Sequence, residues 1–321
     1  MQIKTNIVCI KIHFSLELSD NLRRYIYNEK PSGVIMEYHK PGSFEEATEI
    51  ANNNNGITRF LAGGTDVLVQ LRSDILTPDV LIDMKHIEGV KDISFDDDGW
   101  HIGIAVSGAE MSEHKQLTKE WPGVVEAMDL IGSTQVQGRA TLVGNLCNGS
   151  PAADAVPSLI AARAQVTVTG QNGTRMVNVE DIPVGPGKTS LLKGELVSAL
   201  HLPKRTKKQA DAYLRFIPRT EMDIAVVGCA VNLEIENDVI INARVSLGAV
   251  APTALLLETA AEKIIGSKLD DNALDQLAQE ASKACKPIDD KRGTIKFRTH
   301  VAGVLAKRTA KIAYDRARIA K

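Results

Sequence analysis

An α+β fold in two units is what this sequence predicts, and three observations carry the prediction. Early in the chain an apolar run over residues 57–62 passes through Gly63-Gly64-Thr65 into an amphipathic stretch over 66–72. A second apolar run follows over 80–83, which completes the pattern of a small β-α-β unit. A basic stretch at 203–208, devoid of apolar side chains, marks a domain boundary. Beyond it the segments 212–217, 224–236 and 239–247 read as strands and are followed by helical patterns, the order of an antiparallel sheet backed by helices. With 321 residues and 44% hydrophobic content, the chain is long enough for two separate cores.

Each element has a local reason. Ser43 with Glu46 three residues later starts a helix over 44–52, which the polar run 52–56 ends. Strands near Ile93 and over 100–106 flank a hairpin turn at Asp96-Asp97-Asp98-Gly99. Helical patterns follow over 108–117 and 122–131, then a short helix over 155–162 and a strand over 165–169. Asn172-Gly173 turns that strand into another over 174–179. In the second unit Asn237-Asp238 joins two strands, and helices are expected near 254–265, 272–284 and 294–320.

The bulk properties exclude several functions. A formal net charge of −2 gives no drive toward nucleic acid, and the basic stretches 204–208 and 307–318 read as solvated faces. Cys9, Cys147, Cys229 and Cys285 show no C-x-x-C spacing, so neither a zinc nor an iron–sulfur site is expected in this chain. A reduced, cytoplasmic setting is expected, the inner face of the membrane included. Residues 1–35 contain an alternating run, 3–18, that would suit a strand. They lack a secretory pattern and are too polar to span a membrane.

Two glycine-bearing segments about eighty residues apart are the candidate binding site. The first is Arg59-Phe60-Leu61-Ala62-Gly63-Gly64-Thr65-Asp66-Val67 and the second Ala140-Thr141-Leu142-Val143-Gly144-Asn145-Leu146. Adjacent glycines leave no Cβ between backbone and ligand, and a helix start adds partial positive charge, so the first turn suits a phosphate. It is neither G-x-G-x-x-G nor a P-loop. Alone, it is better read as a strand-to-helix turn with Thr65 as N-cap. The second segment changes that reading, because residues 141–154 are rich in small residues and are expected to form a functional loop.

The order A-G-G-T-D, then T-x-x-G-N-x-x-x-x-S-P-x-x-D, resembles the FAD-binding medium subunit of the molybdenum hydroxylases, the family of xanthine dehydrogenase and aerobic carbon monoxide dehydrogenase. The resemblance runs from about Met36 to the C-terminus and includes Gly185-Pro186-Gly187-Lys188-Thr189, Gly194-Glu195-Leu196-Val197, Arg219-Thr220-Glu221-Met222-Asp223-Ile224-Ala225 and Gly248-Ala249-Val250-Ala251-Pro252-Thr253. It implies an FAD-binding domain of two α/β subdomains (PCMH-type) over 36–206, an extension over 1–35 that the family lacks, and a smaller C-terminal α+β domain over 207–321.

The same resemblance implies site residues. Phe60, Leu61, Ala62, Gly63, Gly64, Thr65, Asp66 and Val67 would cradle the FAD pyrophosphate, and Thr141, Leu142, Val143, Gly144 and Asn145 would close over it. Asn145 could instead satisfy its own loop. Asp154 matches a family aspartate that contacts the cofactor, and alone reads as the N-cap of the helix over 155–162. Ile131 matches a position beside the flavin ring and alone reads as core. Val197 and Arg215 match positions reaching the flavin from strands at the domain junction. A cation at 215 would stabilise reduced flavin, and a solvent-facing strand residue is the other reading.

No paired carboxylates, no Ser-His-Asp order and no metal-spaced group stands out, so no catalytic residue is assigned to this chain. The family places the molybdenum cofactor in a large subunit and 2Fe–2S clusters in a small one, assembled as a dimer of heterotrimers. This chain would be the middle relay, passing electrons through FAD to NAD, a quinone or oxygen. A scaffold subunit with weak or absent flavin and a stand-alone FAD oxidase are the alternatives.

Overall fold

The computed structural model describes residues 36–320. The extension 1–35 and the strand expected within it lie outside the described residues. The chain opens with β1 (Glu37–His39), α1 (Phe44–Asn53), β2 (Thr58–Leu61), α2 (Val67–Arg72) and β3 (Val80–Asp83). These strands form a parallel sheet in the order β1-β3-β2, which leaves the fully buried β3 central. The expected β-α-β unit is therefore present. Ser43 Oγ accepts from Glu46 N at 3.1 Å, while the Glu46 carboxylate reaches back to Gly42 N at 2.7 Å, so the start of α1 is capped by its predicted pair.

A second layer follows with β4 (Ile93–Phe95), β5 (Gly99–Gly103), α3 (Gly108–Glu113), α4 (Lys115–Glu120), α5 (Pro122–Asp129), α6 (Thr134–Gln137), α7 (Leu142–Cys147), α8 (Ala155–Ala161), β6 (Gln165–Gly170), β7 (Gly173–Asn178), β8 (Pro183–Gly185), β9 (Lys188–Thr189) and β10 (Leu196–Pro203). Its main sheet has the order β4-β5-β10-β6-β7, antiparallel throughout. The helix expected over 108–117 is two helices, because His114 leaves helical geometry and its Nδ1 accepts from Leu117 N at 3.3 Å, capping the second.

The third layer is β11 (Gln209–Phe216), β12 (Val227–Glu236), β13 (Val239–Gly248), β14 (Leu255–Leu256), α9 (Glu258–Glu262), α10 (Asp271–Ala284) and α11 (Ile295–Ile319). Its four strands are antiparallel in chain order. Asn237 and Asp238 both take positive φ, 50° and 63°, the geometry of a tight hairpin turn. The region expected to be a helix over 254–265 begins instead as β14, and α9 is confined to five residues.

Two main apolar cores result. One gathers Trp100, Met111, Trp121, Leu142 and Leu159 around the first two layers; the other joins the β11–β14 sheet to α10 and α11 through Val231, Val245, Leu277, Ala306 and Ala310. Polar groups fasten the cores together. Arg205 lies 4.5 Å over the Trp121 ring and pairs with Asp211 at 3.1 Å, and the other Asp211 oxygen accepts from Val124 N at the start of α5. Arg316 on α11 holds Glu126 on α5 and also donates to the Asp211 carbonyl at 2.9 Å. The C-terminal end of α8 is capped from the third layer, by Asn232 Nδ2 on the Ala161 carbonyl and Arg244 Nε on the Ile160 carbonyl.

Candidate functional site

A cleft of about 610 Å³ opens where the first two layers meet, a volume in the range of small-molecule and cofactor sites. Both glycine-bearing segments line it. From the first come Phe60, Ala62, Gly63, Gly64, Thr65, Asp66 and Val67, and from the second Thr141, Val143, Gly144 and Asn145. Ile131 and Val197 also stand in its wall. Leu61 and Leu142 belong to the same segments but turn inward, at 5% and 2% exposure.

The contact between the two segments is close. A Cβ on Gly63 would stand 2.0 Å from the Arg139 carbonyl oxygen, and Arg139 Nε donates to the Gly63 carbonyl at 3.1 Å. The first glycine is thus required by the second segment's backbone, quite apart from any ligand. Gly64 takes φ +85°, a conformation that other residues adopt only with strain. Helix α2 begins one residue later than expected. Asp66, not Thr65, is the N-cap, and its side chain makes no capping bond, while Leu68 N donates to the Gly64 carbonyl at 3.1 Å.

Residues 141–147, expected within a loop, open with a helix. Thr141 Oγ1 accepts from Gly144 N at 2.9 Å and starts α7, while Leu142 and Leu146 anchor it in the core. Packing of these two leucines overrides the weak helix propensity of Gly144 and Asn145. Asn145 spends its side-chain carbonyl on Ala155 N at 3.1 Å, so it caps α8 from ten residues upstream. That is the loop-satisfying alternative, and Asn145 also stands in the cleft wall.

Asp154 holds the N-cap position of α8 without a capping bond, because Asn145 already serves that end. Its carboxylate turns the other way. It accepts from Tyr213 Oη at 2.8 Å and Arg215 Nη1 at 2.7 Å, both on β11. Neither Asp154 nor Arg215 is among the residues lining the cleft, and their side chains are 9% and 5% exposed. The alternative reading of Arg215 as a solvent-facing strand residue is corrected here: its guanidinium is buried against Asp154. The reason is tertiary, since a charge so enclosed needs a partner and Asp154 is the one within reach.

Burial lifts the Asp154 carboxyl to about 6, against the pull of Arg215 and Tyr213 in the other direction. Between the ordinary value of 3.8 and about 6 the folded chain therefore holds this proton more tightly than the unfolded chain. The stability this group contributes is present below that window and is lost as pH rises through it. Replacing Asp154 by Asn removes the titration. The difference in melting temperature between the variant and the parent should shift between about pH 4.5 and about pH 7 in the variant's favour, by the equivalent of roughly 1–3 kcal/mol. A difference that stays constant across that range would show the carboxyl ionised throughout.

Other cleft residues were assigned no site role from the sequence, although Arg59, Gly187 and Gly194 stand in motifs quoted above. Arg59 and Lys193 bring cations to the wall, and Gln70 Nε2 meets Asn148 Oδ1 at 3.3 Å, tying α2 to the end of α7. Gly194 and Gly187, quoted above within two motifs, carry two further segments to the rim, where each takes a positive φ, +78° and +68°. Cys147 also lines the cleft, and burial pushes its thiol up to about 12, which disfavours the thiolate at neutral pH. Among the described residues no group of three or more His, Cys, Asp or Glu is placed to hold a metal. Among them, too, no helix is long and apolar enough to cross a membrane.

Comparison with known proteins supplies a family for this geometry. Residues 34–205 match the FAD-binding domain in molybdopterin dehydrogenase, and residues 212–313 match the carbon monoxide dehydrogenase flavoprotein C-terminal domain. The carbon monoxide dehydrogenase medium chain of Hydrogenophaga pseudoflava is 29% identical over 281 residues, covering 88% of this chain and 98% of the relative. The xanthine dehydrogenase FAD-binding subunit of Escherichia coli O157:H7 is 27% identical over 273 residues, 84% of this chain and 93% of the relative. Among solved structures, carbon monoxide dehydrogenase from Hydrogenophaga pseudoflava superimposes with a TM-score of 0.84 at 29% identity, over 88% of this chain and 98% of that one. With the expected α+β architecture in place and two glycine segments facing one cleft, the chain belongs to the family of FAD-binding subunits of the molybdopterin dehydrogenases.

Proposed function

We propose that this chain is the electron-relay subunit of a molybdenum hydroxylase, holding FAD noncovalently between its two glycine-bearing segments. The convergence of those segments across one cleft carries the reading. The residues fit the group: Gly63 and Gly64 clear side chains from the wall, the first turn of α2 offers backbone donors, and Arg59 and Lys193 supply cations suited to a pyrophosphate. Ile131 and Val197 offer apolar cover for a flat ring. Asp154 and Arg215, joined to each other, would act on a flavin from behind the wall.

FAD supplies the redox chemistry, and this chain positions the cofactor and excludes water from one side of it. Electrons would arrive from 2Fe–2S clusters on a small subunit, themselves fed by a molybdenum cofactor on a large subunit, and leave for NAD, a quinone or oxygen. A dimer of such heterotrimers in the cytoplasm is the assembly proposed. Residues 36–206 and 207–321 are proposed as its two domains, a division supported by the change of family match between residues 205 and 212.

The purified chain should be yellow, release about one FAD per chain on denaturation and contain neither iron nor molybdenum. A colourless chain that cannot be reconstituted with FAD would overturn the proposal. Affinity purification from the native cell should bring down an iron–sulfur and a molybdopterin subunit. A chain that purifies alone and oxidises an organic substrate would favour an independent oxidase instead.

A further inference from the structure

On the outer face of the five-stranded sheet, away from the cleft, two histidines meet. His101 on β5 and His201 on β10 are direct cross-strand partners, flanked in register by the buried pair Ile102 and Leu200. Their Nδ1 atoms are 2.8 Å apart and the rings stand nearly perpendicular, at 80°. Each ring is held from its far side. His101 Nε2 lies 2.7 Å from the Asp96 carboxylate, and His201 Nε2 lies 2.7 Å from Thr167 Oγ1, which also lies 3.3 Å from Met176 Sδ.

The outer bond to Asp96 fixes one of the inner nitrogens. A carboxylate only accepts, so His101 Nε2 carries a proton and Nδ1 of the neutral ring bears a lone pair. Thr167 Oγ1 can accept from His201 Nε2–H, with its own hydroxyl on Met176, or donate to it, so His201 Nδ1 bears a lone pair in the first tautomer and a proton in the second. In the second tautomer His201 Nδ1–H donates to His101 Nδ1; in the first, two lone pairs converge on one point, where a cation can take the place of that proton. Imidazoles whose remote N–H is anchored by a carboxylate or hydroxyl oxygen are the arrangement that metal-binding histidines use.

We propose that His101 and His201 form a two-histidine site for a borderline divalent transition metal of the copper or zinc type, with water in its remaining positions. A tetrahedral ion with metal–nitrogen bonds of about 2.0–2.1 Å needs its two nitrogens about 3.3 Å apart, so the strands' side chains must part by roughly half an ångström. Both rings are partly exposed, His101 at 34% of its side chain, and rotation about χ1 and χ2 supplies that movement without disturbing the ladder. Imidazole nitrogen favours copper, zinc and nickel over magnesium or calcium. The site is independent of the flavin reading, because none of its residues lines the cleft.

The test is a Cu²⁺ titration of the full-length chain, followed by pulsed electron paramagnetic resonance, with Zn²⁺ as competitor. One equivalent should bind with two equatorial imidazoles and be displaced by excess Zn²⁺. His101→Gln and His201→Gln should each weaken binding by about 10- to 100-fold and leave a single imidazole signal, while FAD content and far-ultraviolet circular dichroism stay at parent levels. Asp96→Asn should weaken binding by about 10-fold without removing either imidazole. If the double variant still binds Cu²⁺ through two imidazoles, the assignment is wrong. If the parent binds no stoichiometric copper, a shared proton donated through Thr167 and His201 holds the pair together, and the metal site is excluded.

Discussion

Gly63→Ala should yield a chain that loses its flavin, with FAD affinity reduced by at least about 30-fold. The substitution adds one methyl group, and the place that methyl would occupy is 2.0 Å from the Arg139 carbonyl oxygen and 2.9 Å from its carbon. No rotamer change relieves such a contact, since both partners are backbone. The two segments must separate by more than 1 Å, at a cost of roughly 2–4 kcal/mol, and the separation falls between the two walls of the clamp. Gly64→Val should act alongside it by a different route, through strain at φ +85° and contact with Leu61 and Leu68 side chains. Flavin fluorescence on reconstitution measures both. Parent-like FAD affinity in Gly63→Ala would mean that the spacing of the two segments does not govern binding.

The largest stability effect is expected at Asp154→Ala. The variant leaves the Arg215 guanidinium, 5% exposed, without its carboxylate, and deprives the Tyr213 hydroxyl of its acceptor. Removing one partner of a buried pair costs about 3–5 kcal/mol, because a charge is left enclosed and unpaired. Replacing both groups with apolar residues does not carry that penalty, so Asp154→Ala with Arg215→Met should regain most of the loss. Urea denaturation of the single and double variants decides it. If the double variant is no more stable than the single, the penalty comes from lost packing and not from the stranded charge.

The parts of this fold that were legible in the sequence are those fixed by neighbours. Ser43 and Glu46 announce a helix start, Asn237-Asp238 announces a hairpin, and Gly63-Gly64 announces a turn where side chains are excluded, each within a few residues. What could not be read depends on partners far away. Strand β10 lies between β5 and β6, and its pairing with β5 joins residues about a hundred positions apart. Asp154 looked like a helix cap because the two groups that capture it, Tyr213 and Arg215, come from another layer. Residues 141–147 looked like loop because Gly144 and Asn145 are weak helix formers, while the burial of Leu142 and Leu146 that fixes the helix is a property of the assembled core. For the site, the two segments were visible and their mutual contact was not.

That contact has a consequence for the order of maturation. The two halves of the clamp are fastened by bonds the polypeptide makes with itself, the Arg139 guanidinium on the Gly63 carbonyl and Gln70 on Asn148. A nucleotide is not needed to bring them together. Cofactor loading can therefore come after the chain has left the ribosome and reached its final shape. The uptake of FAD by a folded apoprotein should then be a single bimolecular phase whose rate rises in proportion to FAD, without a slow folding step at saturation.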